Sequence, residues 1–109
     1  MKVPESLFAV AKRPDMYGVY DLSDYIAYLL GYELACFDRG EKTFDGLQEW
    51  VSKHFREPPA NHWASVLKRR LPPGRDGIDQ VAVLLLRFSK GDEVTRRASN
   101  RPRNKSDVA

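Results

Sequence analysis

Four side chains stand out as candidates to break bonds or hold a metal: Glu33, Cys36, His54 and His62. A thiol activated by an imidazole is a nucleophile, and a carboxylate of raised pKa is a general acid or base. Zinc needs Cys and His at short, regular spacing, and two His and one Cys scattered over these positions do not supply it. A lone cysteine packs well as a small hydrophobe, and a histidine on an apolar helix face is usually a hydrogen-bonded core residue. Glu33 is the sharpest of the four. On a helical wheel it falls among Leu22, Ile26, Leu29 and Phe37, where a carboxylate must find a partner or take up a proton. Arg13, in the preceding loop, is the expected bidentate partner, making the pair a brace between loop and helix. No second acid shares that face, so the chain is expected to hold no catalytic residue, no metal and no cofactor.

A second set of residues suits recognition rather than reaction. Tyr25, Tyr28 and Tyr32 recur at helical spacing beside Asp21 and Asp24, and tyrosines next to acids are common at protein interfaces. The same stripe suits the edge of a core. Asp38, Glu41, Asp45 and Glu49 continue the acidic character beyond the helix. Ala27, Gly31 and Ala35 form a ridge of small residues, which suits either tight helix packing or a groove for a partner. Gly31 in mid-helix costs about 1 kcal/mol relative to Ala, so the close approach of another backbone is its expected reason.

Five helices and no strand are expected to position these residues. The first spans about Pro4 to Lys12 and stops before Pro14. The loop Arg13-Pro14-Asp15-Met16-Tyr17-Gly18 follows, with Arg13 and Tyr17 expected to be structural. The second helix runs from an Asp21 cap to Asp38, with Leu22, Ile26, Leu29, Leu30, Leu34 and Phe37 on one broad apolar face. The third runs from about Phe44 to Phe55, capped by Thr43 or Asp45. It buries Phe44, Leu47, Trp50, Val51 and Phe55. Asn61 is expected to cap the fourth, which turns Trp63, Val66, Leu67 and Leu71 inward. Asp76 is expected to cap the fifth, over Gly77 to about Lys90. Its centre, Val81 to Leu86, is apolar all round, which places it in the middle of the bundle. The expected fold is therefore all-α: a compact bundle of five helices over residues 1–94, followed by a disordered basic tail over 95–109.

The 109 residues suit one domain. A sequence pI near 9.1 suggests nucleic acid, but the location of the charge argues against it. Arg96, Arg97, Arg101, Arg103 and Lys105 against Asp107 give the tail a net charge of +4, and residues 1–94 are then close to neutral at −1. Within that body, residues 14–57 carry nine acids and four bases. An acidic face of that kind repels phosphate and attracts a basic protein. The tail alone would give weak, non-specific nucleic-acid affinity. No apolar run reaches the length of a signal-peptide core or a membrane span, and the single cysteine excludes an intrachain disulfide. These features favour a cytoplasmic location.

Two resemblances attach to the loop. Lys12-Arg13-Pro14-Asp15-Met16-Tyr17-Gly18 looks like the stretch that opens the ATPase domain of gyrase-type B subunits. The likeness ends after about eight residues, because the following helix has no Asn and the Asp-x-Gly-x-Gly nucleotide loop is missing. ATP binding is not expected. Over about residues 10–90, Arg13, Pro14, Met16, Tyr17, Leu22, Gly31, Tyr32, Phe44, Trp50 and Val51 are similar to a family of small bacterial helical proteins. Members of that family occur near polymorphic-toxin loci and are regarded as candidate immunity proteins. The resemblance implies a non-catalytic, protein-binding module that neutralises a basic toxin domain. The family has Gly where this chain has Asp15, and Leu/Ile-Gly where it has Gly18-Val19.

Overall fold

The computed structural model describes residues 3–91. They form α1 (Glu5–Lys12), a short 3-10 turn (Pro14–Tyr17), α2 (Leu22–Asp38), α3 (Leu47–Phe55), α4 (Trp63–Arg70) and α5 (Arg75–Ser89). The fold is all-α, with no strand among the described residues. The basic tail, with Arg96, Arg97, Arg101, Arg103 and Lys105, lies outside the described residues.

The loop before α2 is a compact stop. Pro14 is buried and opens the 3-10 turn, and Gly18 ends it at φ 75°. The Val19 N–H closes the loop on the Pro14 carbonyl at 2.9 Å. Asp15 keeps a negative φ, since Arg56 is the only described non-glycine residue with a positive one. Tyr17, expected to be structural, is 57 % exposed.

α2 starts as its sequence requires. The Asp21 side chain accepts the Asp24 N–H at 2.9 Å, and the Asp24 carboxylate accepts the Tyr20 N–H at 2.9 Å. Together they satisfy two donors at the positive end of the helix. The core is built from Leu7 and Val10 of α1, Leu22, Ile26 and Leu29 of α2, Trp50 and Val51 of α3, Trp63 and Val66 of α4, and Ile78, Val81 and Leu85 of α5. An aromatic seam runs through it. Tyr25, Tyr28, Tyr32, Phe44 and Trp63 meet in sequence, with ring centroids 6.2 to 6.5 Å apart.

Several local expectations are corrected. α3 begins at Leu47 behind Gly46 (φ 87°), and neither Thr43 nor Asp45 caps it; Phe44 is buried from the preceding turn. His62, not Asn61, caps α4 by accepting the Ala64 N–H at 3.2 Å. The Asn61 amide is held instead by Glu57 at 2.9 Å. α5 begins at Arg75 behind Gly74, with Asp76 already inside its first turn. It is not central either. Ile78, Val81, Leu85 and Phe88 are buried, whereas Val83 is 55 % and Leu86 43 % exposed. Its apolar run holds two stripes, and the fold covers one of them.

The turn between α3 and α4 is held by polar side chains that periodicity does not single out. Gln48 accepts the Trp63 N–H at 2.7 Å and donates to the Asn61 carbonyl at 2.7 Å and to buried Ser52 Oγ at 3.1 Å. The Glu57 carboxylate, 8 % exposed, takes Arg69 Nη2 at 2.9 Å and Arg70 Nε at 2.8 Å as well as Asn61. The Asn61 amide and the Arg70 guanidinium hold its carboxyl below the usual range.

Candidate protein-binding surface on the second helix

α2 is apolar around more than half of its circumference, so its sequence offers two adjacent stripes to the core. The stripe that is buried is Leu22, Tyr25, Ile26, Leu29 and Cys36. The other, containing Ala27, Gly31 and Leu34 with Phe37 beside it, faces outward, and Leu30 at its edge is half-buried against the core. Leu34 is 65 % and Phe37 78 % exposed. Both were expected inside. The choice follows from Tyr25, which is fully buried and donates its hydroxyl to the Leu7 carbonyl of α1 at 2.8 Å. Burial, with a smaller contribution from the Tyr28 charge, pushes the Tyr25 phenol well above its ordinary range. A buried phenol needs an acceptor, and reaching this one turns the Tyr25 side of the helix inward.

Tyr25 is therefore a core residue and leaves the expected partner-binding set. Tyr28 and Tyr32 are half-buried members of the aromatic seam. Glu33 is also redirected. Arg13 is exposed, its backbone capping α1. The carboxylate instead accepts the buried Trp63 indole N–H in a long hydrogen bond of 3.4 Å. The Arg13–Glu33 brace between loop and helix is not formed; Glu33 links α2 to α4 instead. The small-residue ridge is corrected too. Ala27, Gly31 and Ala35 are exposed, and a Cβ built on Gly31 meets nothing within 4 Å. Among the described residues, packing gives no reason for the glycine.

The acidic residues divide into groups. Asp24 is engaged in the N-terminal cap, and fourteen residues of helix, about 21 Å, separate it from Asp38. Glu49 lies on α3, paired with Lys53 at 3.7 Å, and lines another cleft. Glu33, Glu41 and Asp45 do come together. With Cys36, Phe37 and Phe44 they line a cleft of about 380 Å³ at the C-terminal end of α2, beside exposed Asp38. Lys42 is the one base in its lining. Arg39 holds Glu41 in a two-point pair at 3.0 and 3.1 Å, which lowers the Glu41 pKa. Phe37 forms part of the cleft wall, so the exposed apolar stripe and the acidic cleft are one continuous surface.

The residues with catalytic chemistry do not converge. Glu33 and Cys36 share that cleft, while His54 lies against Trp50 and Phe55 and lines a separate one with Leu71 and Gln80. His62 is spent on the α4 cap and stacks near Trp63. Among the described residues no three metal-binding side chains cluster, and no helix is long and apolar enough to cross a membrane. Comparison with protein-family models, curated proteins and solved structures finds no match to this chain.

Proposed function

We propose that this chain is a protein-binding module whose outer α2 surface covers a basic partner. The observation that carries the reading is the side-by-side placement of exposed Leu34 and Phe37 with the Glu33, Glu41 and Asp45 cleft. An apolar centre with a charged rim is how protein interfaces are built: the centre supplies affinity on desolvation and the rim selects the sign of the partner. Gly31 would let a partner backbone approach the helix closely. The cleft has room for a lysine or arginine side chain, whose charge its carboxylates would attract and whose aliphatic stem could lie against Phe37. The motif resemblance adds the context of an immunity protein acting in the cytoplasm, with a toxin domain as the basic partner and steric occlusion as the mechanism.

The test is binding, by calorimetry, to purified basic protein domains encoded by whatever reading frames adjoin this gene. Leu34→Ala and Phe37→Ala remove exposed side chains, so the fold should persist. Each is expected to weaken binding about tenfold or more, as truncation of an interface anchor does. Unchanged affinity in both variants, or no binding at micromolar concentrations, would overturn the reading.

A further inference from the structure

α1 and α5 lie antiparallel. The Val3 N–H donates to Ser89 Oγ at one end (3.1 Å), and Arg75 Nη2 donates to the Lys12 carbonyl at the other (3.1 Å). Their outer faces enclose an open apolar groove of about 870 Å³, floored by Phe8, Ala82, Val83 and Leu86. Val83 and Leu86 are the second apolar stripe of α5, the one the fold leaves uncovered. Apolar surface gathered in one groove, rather than scattered singly, marks an interaction site.

The charges around the groove specify what covers it. Glu5 and Lys12 stand at the two ends of α1, and Asp79 and Lys90 toward the two ends of α5; all four line the groove and are exposed. The antiparallel arrangement sets Glu5 level with Lys90, and Lys12 level with Asp79. Each end of the groove therefore carries one acid and one base, and like signs occupy diagonal corners. A second copy laid face to face meets this pattern with opposite signs throughout. With the two-fold axis along the groove, Glu5 faces Lys90 of the partner subunit, and Lys12 faces Asp79 of the partner subunit. With the axis across the groove, Glu5 faces Lys12 of the partner subunit, and Asp79 faces Lys90 of the partner subunit. A partner surface of uniform charge would meet two like charges in either setting, at a cost. The existing Arg75–Asp79 contact is long, at 3.9 Å between exposed groups, and leaves Asp79 available.

We propose that this chain self-associates through the α1/α5 face as a two-fold dimer with a four-helix interface. Isologous pairing requires one patch that complements itself, which this charge layout provides. The face is distinct from the outer α2 surface, so its failure would leave the protein-binding reading standing.

Sedimentation equilibrium of the full chain, from about 1 to 100 μM, should show a concentration-dependent monomer–dimer equilibrium. Val83→Glu with Leu86→Glu, both at exposed positions, should raise the dimer dissociation constant at least about tenfold with an unchanged circular dichroism spectrum. Reversing the acids alone, Glu5→Lys with Asp79→Lys, should dissociate the dimer. Adding Lys12→Glu and Lys90→Glu to that variant should restore it, because the fourfold reversal recreates the pattern. A wild-type monomer across the whole range overturns the proposal. So does a dimer that survives the Val83/Leu86 pair, or a folded fourfold variant that stays monomeric.

Discussion

Glu33 and Glu57 show how one carboxylate acquires a structural role from the donors around it. Trp63 is 1 % exposed, and Glu33 accepts its indole N–H. Glu33→Leu removes that acceptor and leaves a buried donor unpaired, at a cost of about 1 to 2 kcal/mol. In a domain of this size that lowers the melting temperature by several degrees. Glu33→Gln keeps an acceptor and should melt close to wild type; equal melting of wild type and the Leu variant would remove Glu33 from the α2–α4 link. Glu57 makes a pH prediction. Its native pKa lies below the free value of 4.5, chiefly through the Asn61 amide and then Arg70. A depressed native pKa means the unfolded chain binds more protons in the transition region. The contribution is therefore full above pH 4.5 and is lost as pH falls through the lower native value. Glu57→Gln should melt below wild type at pH 7, and the gap should close toward pH 3; a gap independent of pH would contradict this account. Neither partner was legible in the sequence. Glu33 stood out by its place on the wheel, but Trp63 lies thirty residues away and is brought to it only by the packing of α4.

At the scale of elements, helix number, order and approximate extent followed from punctuation by proline and glycine, from the Asp21 cap and from periodicity. What periodicity left open was rotation. α2 and α5 each carry two adjoining apolar stripes, and periodicity alone does not fix where the buried sector begins and ends. The polar atom of Tyr25 decides the case in α2, through its bond to α1. In α5 the buried stripe includes Gly77, which lets the first turn press against the preceding linker. A Cβ added at Gly77 would lie 1.9 Å from the Pro72 carbonyl oxygen. Because that atom is backbone, it cannot swing away, and Gly77→Ala should destabilise the protein by about 2 to 3 kcal/mol in urea titration. Gly31 is its opposite. Its Cβ direction is open, so Gly31→Ala should stabilise the isolated chain by about 0.5 to 1 kcal/mol through helix propensity alone. A loss of stability at Gly31, or neutrality at Gly77, would show that the two glycines have been assigned to the wrong environments. Both were plain in the sequence as residues; the difference between them is a property of what lies opposite.

For the molecule as a whole, the relevant quantity is where charge sits relative to uncovered apolar surface. Residues 14–57 carry the excess of acid, and the cleft beside Phe37 gathers three of those acids. The α1/α5 groove, by contrast, carries two acids and two bases. The two surfaces should therefore respond differently to salt. A net-acidic surface that captures a basic partner is assisted by long-range attraction, and that attraction weakens as the Debye length shortens from about 14 Å near 0.05 M to about 4 Å near 0.5 M salt. The association rate with a basic partner should fall about tenfold or more over that range. The dissociation rate, set by the desolvated contacts of Leu34 and Phe37, should change little. Leu34→Ala should do the reverse, raising the dissociation rate while leaving the salt dependence of association intact. Stopped-flow association at several salt concentrations, for wild type and this variant, separates the two contributions. A salt-independent association rate would show that the acidic rim has no part in capture, whatever the final affinity.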